Sequence, residues 1–122
     1  MIHYRRLFQS FGYAWQGIVH ALKNDQNFIV HLLAAIFVII LGLLLKINSL
    51  EMAILGSMIV LVISTEMINT AIENMVDLIT KEHREEAKIA KDVSSGMVLI
   101  SSVGAVIVGL IIFFPYLLGF LK

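Results

Sequence analysis

The 122-residue sequence has no cysteine, a single proline and a single tryptophan, and only 15% of its residues are charged. Without cysteine, disulfides, thiolate metal sites and cysteine nucleophiles are excluded. Basic and acidic residues number nine each, so the net charge is zero. With no long basic block either, nucleic acid is not expected as a partner. No Gly-rich phosphate cradle of the P-loop or protein-kinase type is present, so any phosphate chemistry must use another design. No cleavable signal peptide is expected either. Met1-Ile-His-Tyr-Arg-Arg-Leu-Phe leads into a mixed polar and aromatic stretch rather than a short apolar core. The first spanning segment is therefore expected to act as its own insertion signal. No repeat, low-complexity tract or linker divides the chain, and its length admits one domain, 1–122.

What the chain has instead is apolar length. Hydrophobic residues make up 59% of it, more than a soluble chain of this size could bury, which predicts an all-α integral membrane protein. Residues 4–24 read as an amphipathic helix. Leu7, Phe11, Trp15, Ile18 and Leu22 form one stripe and Gln9, Gln16, His20 and Lys23 face away. With Arg5 and Arg6 beside it, this pattern fits a helix lying in the headgroup region, or one packed on other protein. Three spans are expected, at about 28–45, 52–76 and 93–121, forming a helical bundle. The first is broken only by His31. The second continues as helix toward Thr80, so its roughly 45 Å project beyond a hydrocarbon layer of ~30 Å. Residues 81–92 are the most densely charged stretch and read as a polar loop. Pro115 lies near the far end of the third span, where a helix can stop or kink. Seven basic residues (Arg5, Arg6, Lys23, Lys81, Arg84, Lys88, Lys91) fall on one side and two (Lys46, Lys122) on the other. The N-terminus and the 81–92 loop are thus expected in the cytoplasm and the C-terminus outside.

Against this background stands a row of polar groups. Glu66, Asn69, Glu73 and Asp77 are spaced by three, four and four residues. At ~100° per residue they fall within about 80° of one helix face. A carboxylate in hydrocarbon is costly, and an intramembrane acid is by default a functional site. Orientation gives the row a depth: Asp77 at the boundary, Glu73 near the interface and Glu66 about 10 Å deeper. Carboxylates on one face suit hard cations, which take oxygen ligands. Asp25, at the junction of the surface helix and the first span, lies at the same level as a further ligand. Lys91 and Asp92 open the expected third span, and a lysine at a helix N-terminus suits phosphate oxygens. Acids for a cation, a lysine for phosphate and a deep carboxylate for a hydroxyl proton are the parts phosphoryl transfer requires.

Simpler roles stand beside these. The Glu-Asn-Glu face could serve only to join helices through hydrogen bonds. His31 is expected to be a satisfied interfacial histidine rather than a ligand. Gly96, Gly104 and Gly109 are expected to permit close helix packing. The 81–86 cluster is by default a solvated loop, and Ser94 and Ser95 cap the third helix. A small proton-coupled transporter working through Glu66 is a second class of function, and a non-catalytic assembly subunit a third.

Glu66-Met-Ile-Asn-Thr-Ala-Ile-Glu-Asn-Met-Val-Asp77, followed by Ala90-Lys-Asp-Val-Ser-Ser-Gly-Met-Val-Leu99, resembles the signature of the prokaryotic diacylglycerol kinase family. Gly12-Tyr-Ala-Trp-Gln-Gly17 and Asn24-Asp-Gln-Asn-Phe28 look like its N-terminal segment, so the resemblance covers nearly the whole chain. It implies a homotrimer in the bacterial cytoplasmic membrane, with a surface helix and three spans per subunit and with active sites shared between subunits. ATP is the implied phosphoryl donor, Mg²⁺ the implied cation and a membrane lipid alcohol the acceptor. By carry-over, Glu66 resembles the base that takes the lipid hydroxyl proton, supported by Asn69, with Ser95 also on the lipid side. Glu73 resembles a metal ligand beside the ATP phosphates. Asp25, also a metal ligand by position, stands where the family usually has glutamate. Lys91 and Asp92 match a nucleotide-contacting pair, and Arg6, Tyr13, Asp77 and Glu82 resemble other ATP contacts. Ile29 replaces a residue often basic in the family, so that contact is lost. Asn-Thr-Ala-Ile-Glu, Ala-Lys-Ile-Ala-Lys-Asp and His31-Leu-Leu-Ala-Ala look like the branch that phosphorylates undecaprenol; the other branch prefers diacylglycerol.

Overall fold

The structure, a computed structural model, describes all residues from Met1 to Lys122. It contains four helices and no strand: α1 (Tyr4–Asn24), α2 (Gln26–Leu44), α3 (Ser49–Ile79) and α4 (Glu85–Leu121). The last three are long and apolar enough to cross a membrane. Their short connections make sequence neighbours antiparallel. α3 is the hub, packing chiefly on α4 and less on α2, while α1 touches α2 and α3 only lightly.

Local chemistry sets the helix ends. Asp25 has extended backbone between α1 and α2, and its Oδ1 accepts from the Phe28 N–H at 3.2 Å, so one residue ends one helix and caps the next. At the other end of α2 the chain turns through Lys46, whose φ of 54° is left-handed. Gly42 permits this tight return: a Cβ there would stand 2.9 Å from Met52 Cε and 3.1 Å from Ile47 Cδ1. Asn48 then starts α3 with a reciprocal capping box, its Oδ1 accepting from Glu51 N at 2.9 Å.

The two ends of the bundle differ in character. Next to the α2–α3 turn, Leu55, Ile112 and Phe113 form a small apolar core, and Tyr116 Oη donates to Glu51 Oε1 at 2.6 Å. Halfway along, a buried hydroxyl pair joins α3 to α4, with Thr65 Oγ1 2.9 Å from Ser101 Oγ. At the opposite end the α1–α2 junction, the last turns of α3 and the first turns of α4 bring polar groups together. Only 15 of the 122 residues are buried, so most apolar side chains point outward, as a membrane solvent allows. Leu7, Phe11 and Trp15 on α1 are among the exposed ones.

Several expectations need correction. The polar connection is residues 80–84, not 81–92, because α4 begins at Glu85. The segment Glu85-Glu-Ala-Lys-Ile-Ala-Lys-Asp92 is composed of strong helix formers. Its acids fall in the first turn, where the helix dipole favours them, and Lys88 pairs with Asp92 at 2.5 Å. Charge alone made it look like loop. Ser94 and Ser95 therefore cap nothing. Lys91 and Asp92 lie two turns inside α4 rather than at its N-terminus, which removes the helix-terminus argument for phosphate at that point. Pro115 neither ends nor interrupts α4, which continues to Leu121. Gly104 would place a Cβ 3.7 Å from Met58 Cε, an ordinary contact, while Gly96 and Gly109 face open space in this chain.

Candidate functional site

The polar face of α3 runs from buried to exposed. Glu66 is 2% exposed and Asn69 5%, Glu73 is half-buried and Asp77 is exposed. Glu66 is the most completely enclosed large side chain in the molecule. No lysine or arginine reaches it. The nearest basic atom is His31 Nε2 on α2, 3.6 Å from Glu66 Oε2. Asp25, Asn69 and Glu73 complete its surroundings.

Asp25, Asn69 and Glu73 are each held by a further contact. Ser94 Oγ, one turn beyond Lys91 on α4, lies 2.6 Å from Asn69 Oδ1, and Ser95 Oγ lies 3.5 Å from the same atom. With its oxygen so occupied, Asn69 turns Nδ2 toward Glu73 Oε1 at 3.4 Å. Asp25 accepts from Thr70 Oγ1 through Oδ2 while Oδ1 caps α2. Thr70 also lies 3.1 Å from the Glu66 carbonyl. Two carboxylates and an amide from three turns of α3 thus meet a third carboxylate from the start of α2.

Beyond Glu73 the face opens into a polar groove of about 810 Å³ between the end of α3 and the start of α4. Asp77, Glu82, Lys91 and Asp92 all line it. Lys91 Nζ donates to Asp77 Oδ1 at 2.6 Å, crossing from α4 to α3. This bond raises the Lys91 pKa above the ordinary lysine value; Lys91 lies outside the apolar run that begins at Val93. Asp92 pairs with Lys88 and Glu82 with Arg84 at 3.1 Å, so both engage partners on their own segment. Arg6 and Tyr13 stand exposed on α1 and bond no side chain of the acid row.

In this chain no three of the His, Cys, Asp and Glu side chains converge to hold a metal ion. The donors present are nonetheless all oxygen, and Mg²⁺ is commonly bound by one or two carboxylates together with substrate phosphates. Asp25 and Glu73 fit that arrangement.

Thr70 carries no role in the sequence pattern, and His31 and Ser94 have in the structure neighbours other than the interfacial and capping ones expected of them. His31 was the one ionisable side chain in the first apolar run, so the rule that singled out Glu66 applied equally to it. Thr70 and Ser94 carry weaker signals, lying one helical turn from Glu66 and Lys91 respectively.

Residues 12–113 match the family model described as prokaryotic diacylglycerol kinase. The chain is 42% identical over 112 residues to an undecaprenol kinase of Bacillus subtilis, covering 92% of this chain and 91% of that protein. It is 40% identical over 114 residues to a diacylglycerol kinase of Synechocystis, covering 93% of this chain and 65% of that one. A diacylglycerol kinase of Escherichia coli is 33% identical over 104 residues, 85% of each chain. With three membrane-length helices and a match over most of its length, the chain belongs to the prokaryotic diacylglycerol kinase family of membrane lipid kinases.

Proposed function

We propose that this lipid kinase transfers the γ-phosphoryl group of ATP to undecaprenol, with Glu66 as the base that takes the alcohol's proton. The observation that carries the reading is the enclosure of Glu66. It is an acid 2% exposed in an apolar helix, with no lysine or arginine beside it, on a face that leads outward to a charged groove. A membrane-dissolved alcohol can approach that depth; a soluble acceptor cannot. The identity to the Bacillus subtilis undecaprenol kinase, over nearly the full length of both chains, favours a polyprenol over diacylglycerol.

In the proposed step the alcohol O–H bond breaks and its proton moves to the Glu66 carboxylate. The alcohol oxygen forms a bond to the γ-phosphorus, and the bond to the β–γ bridging oxygen breaks, its electron pair leaving with ADP. Asn69, clamped by Ser94, fixes the space between Glu66 and Glu73, and Ser95 adds a hydroxyl on the acceptor side. Asp25 and Glu73 would hold Mg²⁺, which when bound offsets the phosphate charge. Lys91 and Asp77, with Asp92 and Glu82 in the same groove, would receive the nucleotide. Arg6 and Tyr13 would reach it from α1. The kinase domain spans 1–122, and three copies assemble with active sites shared between subunits. The uncovered apolar stripe of α1 supports its lying on the bilayer surface, and the distribution of basic side chains favours an N-terminus in the cytoplasm of a bacterial cell.

The test is direct. Purified protein in detergent micelles, given Mg²⁺ and radiolabelled ATP, should label undecaprenol with a higher kcat/KM than diacylglycerol. Preference for diacylglycerol would overturn the acceptor assignment alone; label on neither would overturn both.

A further inference from the structure

Around Glu66, the other polar groups each have a second engagement. Asn69 is held by Ser94 and turned to Glu73, and Asp25 is divided between Thr70 and the start of α2. His31 is different. It has no hydrogen-bond partner, and its one ionisable contact is Glu66, with Nε2 3.6 Å from Oε2 and side-chain exposures of 23% and 2%. On α2 the next turn, Ala34 and Ala35, lines with His31 an apolar cavity of about 260 Å³ shared with Val62 of α3 and Ala105 of α4. Other charge near Glu66 is all of one sign: Asp25 from the α2 cap and Glu73 from α3. α4 contributes no ionisable side chain between Val93 and Pro115. Among ionisable side chains His31 is therefore the one N–H donor beside Glu66, and the Asn69 amide is the other donor.

The geometry points to His31 as a positioning residue for phosphoryl transfer: its Nε2–H anchors Glu66 Oε2 and leaves Oε1 free to take the alcohol proton. This rests on the reading of Glu66 as the base. The 3.6 Å separation is a few tenths of an ångström beyond a hydrogen bond, and catalytic contacts commonly shorten to bonding distance when substrate binds. The only other donor beside Glu66 is the Asn69 amide, which is shared with Glu73, so the two carboxylate oxygens would otherwise be unevenly held, and a misplacement of about 1 Å can cost roughly 100-fold in rate.

The experiment compares His31→Leu, His31→Gln and Glu66→Gln in the full-length protein, with Mg-ATP and undecaprenol in micelles. Leucine is well accommodated in a spanning helix, so insertion survives the first change. His31→Leu should lower kcat about 10- to 100-fold with the KM for ATP unchanged. His31→Gln, which restores an N–H at the same reach, should return kcat to within about threefold of the parent. A His31→Leu enzyme with parental kcat overturns the proposal, as does a His31→Gln enzyme as slow as the leucine variant. Should the leucine protein fail to purify, the glutamine variant decides alone: near-parental kcat supports the role and loss beyond about tenfold refutes it. An inactive Glu66→Gln beside a fully active His31→Leu removes His31 only. An active Glu66→Gln removes the base reading and His31 with it.

Discussion

Asp25 is the residue on which most of the site's local geometry turns. It has one carboxylate oxygen on the Phe28 N–H and the other on Thr70, so its direction is set from two helices. That double hold offsets the shorter reach of aspartate compared with glutamate. Thr70→Val should therefore raise the Mg²⁺ concentration needed for half-maximal activity, while Thr70→Ser should not; a Mg²⁺ titration of both variants distinguishes them. Glu73→Gln removes a proposed ligand outright and should shift the same titration further, with protein yield and helicity unchanged. Asp25, Glu66, Asn69 and Glu73 were legible in the sequence because a polar residue inside an apolar run stands out and helical spacing aligns three of the four. Thr70 and Ser94 were not, since hydroxyls are common in membrane helices and acquire meaning only from what faces them; His31 stands out in the sequence, but its partner on another helix does not.

Among the elements, α3 and α4 form the working pair, and their contact is polar as well as apolar. Thr65 and Ser101 meet at 2.9 Å in a buried position, and each also lies 2.9 Å from a carbonyl of its own helix, Val62 and Val98 respectively. Thr65→Val should cost on the order of 0.6 kcal/mol, the usual size of an interhelical hydrogen bond in membranes. Thermal unfolding in micelles would show it as a small downward shift with activity retained. The first turns of α4 expose the limit of reading by composition. Charge density made residues 85–92 look like loop, whereas spacing of acids and lysines along a helix was the better guide. This difference moves Lys91 from a helix end to a helix face, where it can cross to Asp77. Lys91→Leu should raise the KM for ATP and leave the KM for the lipid alcohol unchanged, a split that initial-rate kinetics in both substrates would reveal.

For the whole molecule, the account requires a polarity along the membrane normal. The charged groove and the acid row lie at one end of the bundle, and the Glu51–Tyr116 contact with its apolar core at the other. Because the chain has no cysteine, single substitutions report on sidedness without background. His83→Cys should be shielded from an impermeant maleimide in intact cells and Lys46→Cys labelled by it; the reverse pattern would put the site outside. The number and order of the helices were open to sequence reasoning because unbroken apolar length is a strong signal. Assembly is not inscribed in the same way: an apolar surface facing lipid and one facing another subunit have the same composition.

The central claim is that an enclosed carboxylate on α3 takes a proton from a lipid alcohol. Its most direct test is the single-turnover rate of phosphoryl transfer from radiolabelled ATP to undecaprenol by the parent protein and by Glu66→Gln. The account predicts a fall of roughly 10²–10⁴-fold in that rate, with Mg-ATP affinity unchanged. A Glu66→Gln protein that transfers phosphate at the parental rate would contradict it.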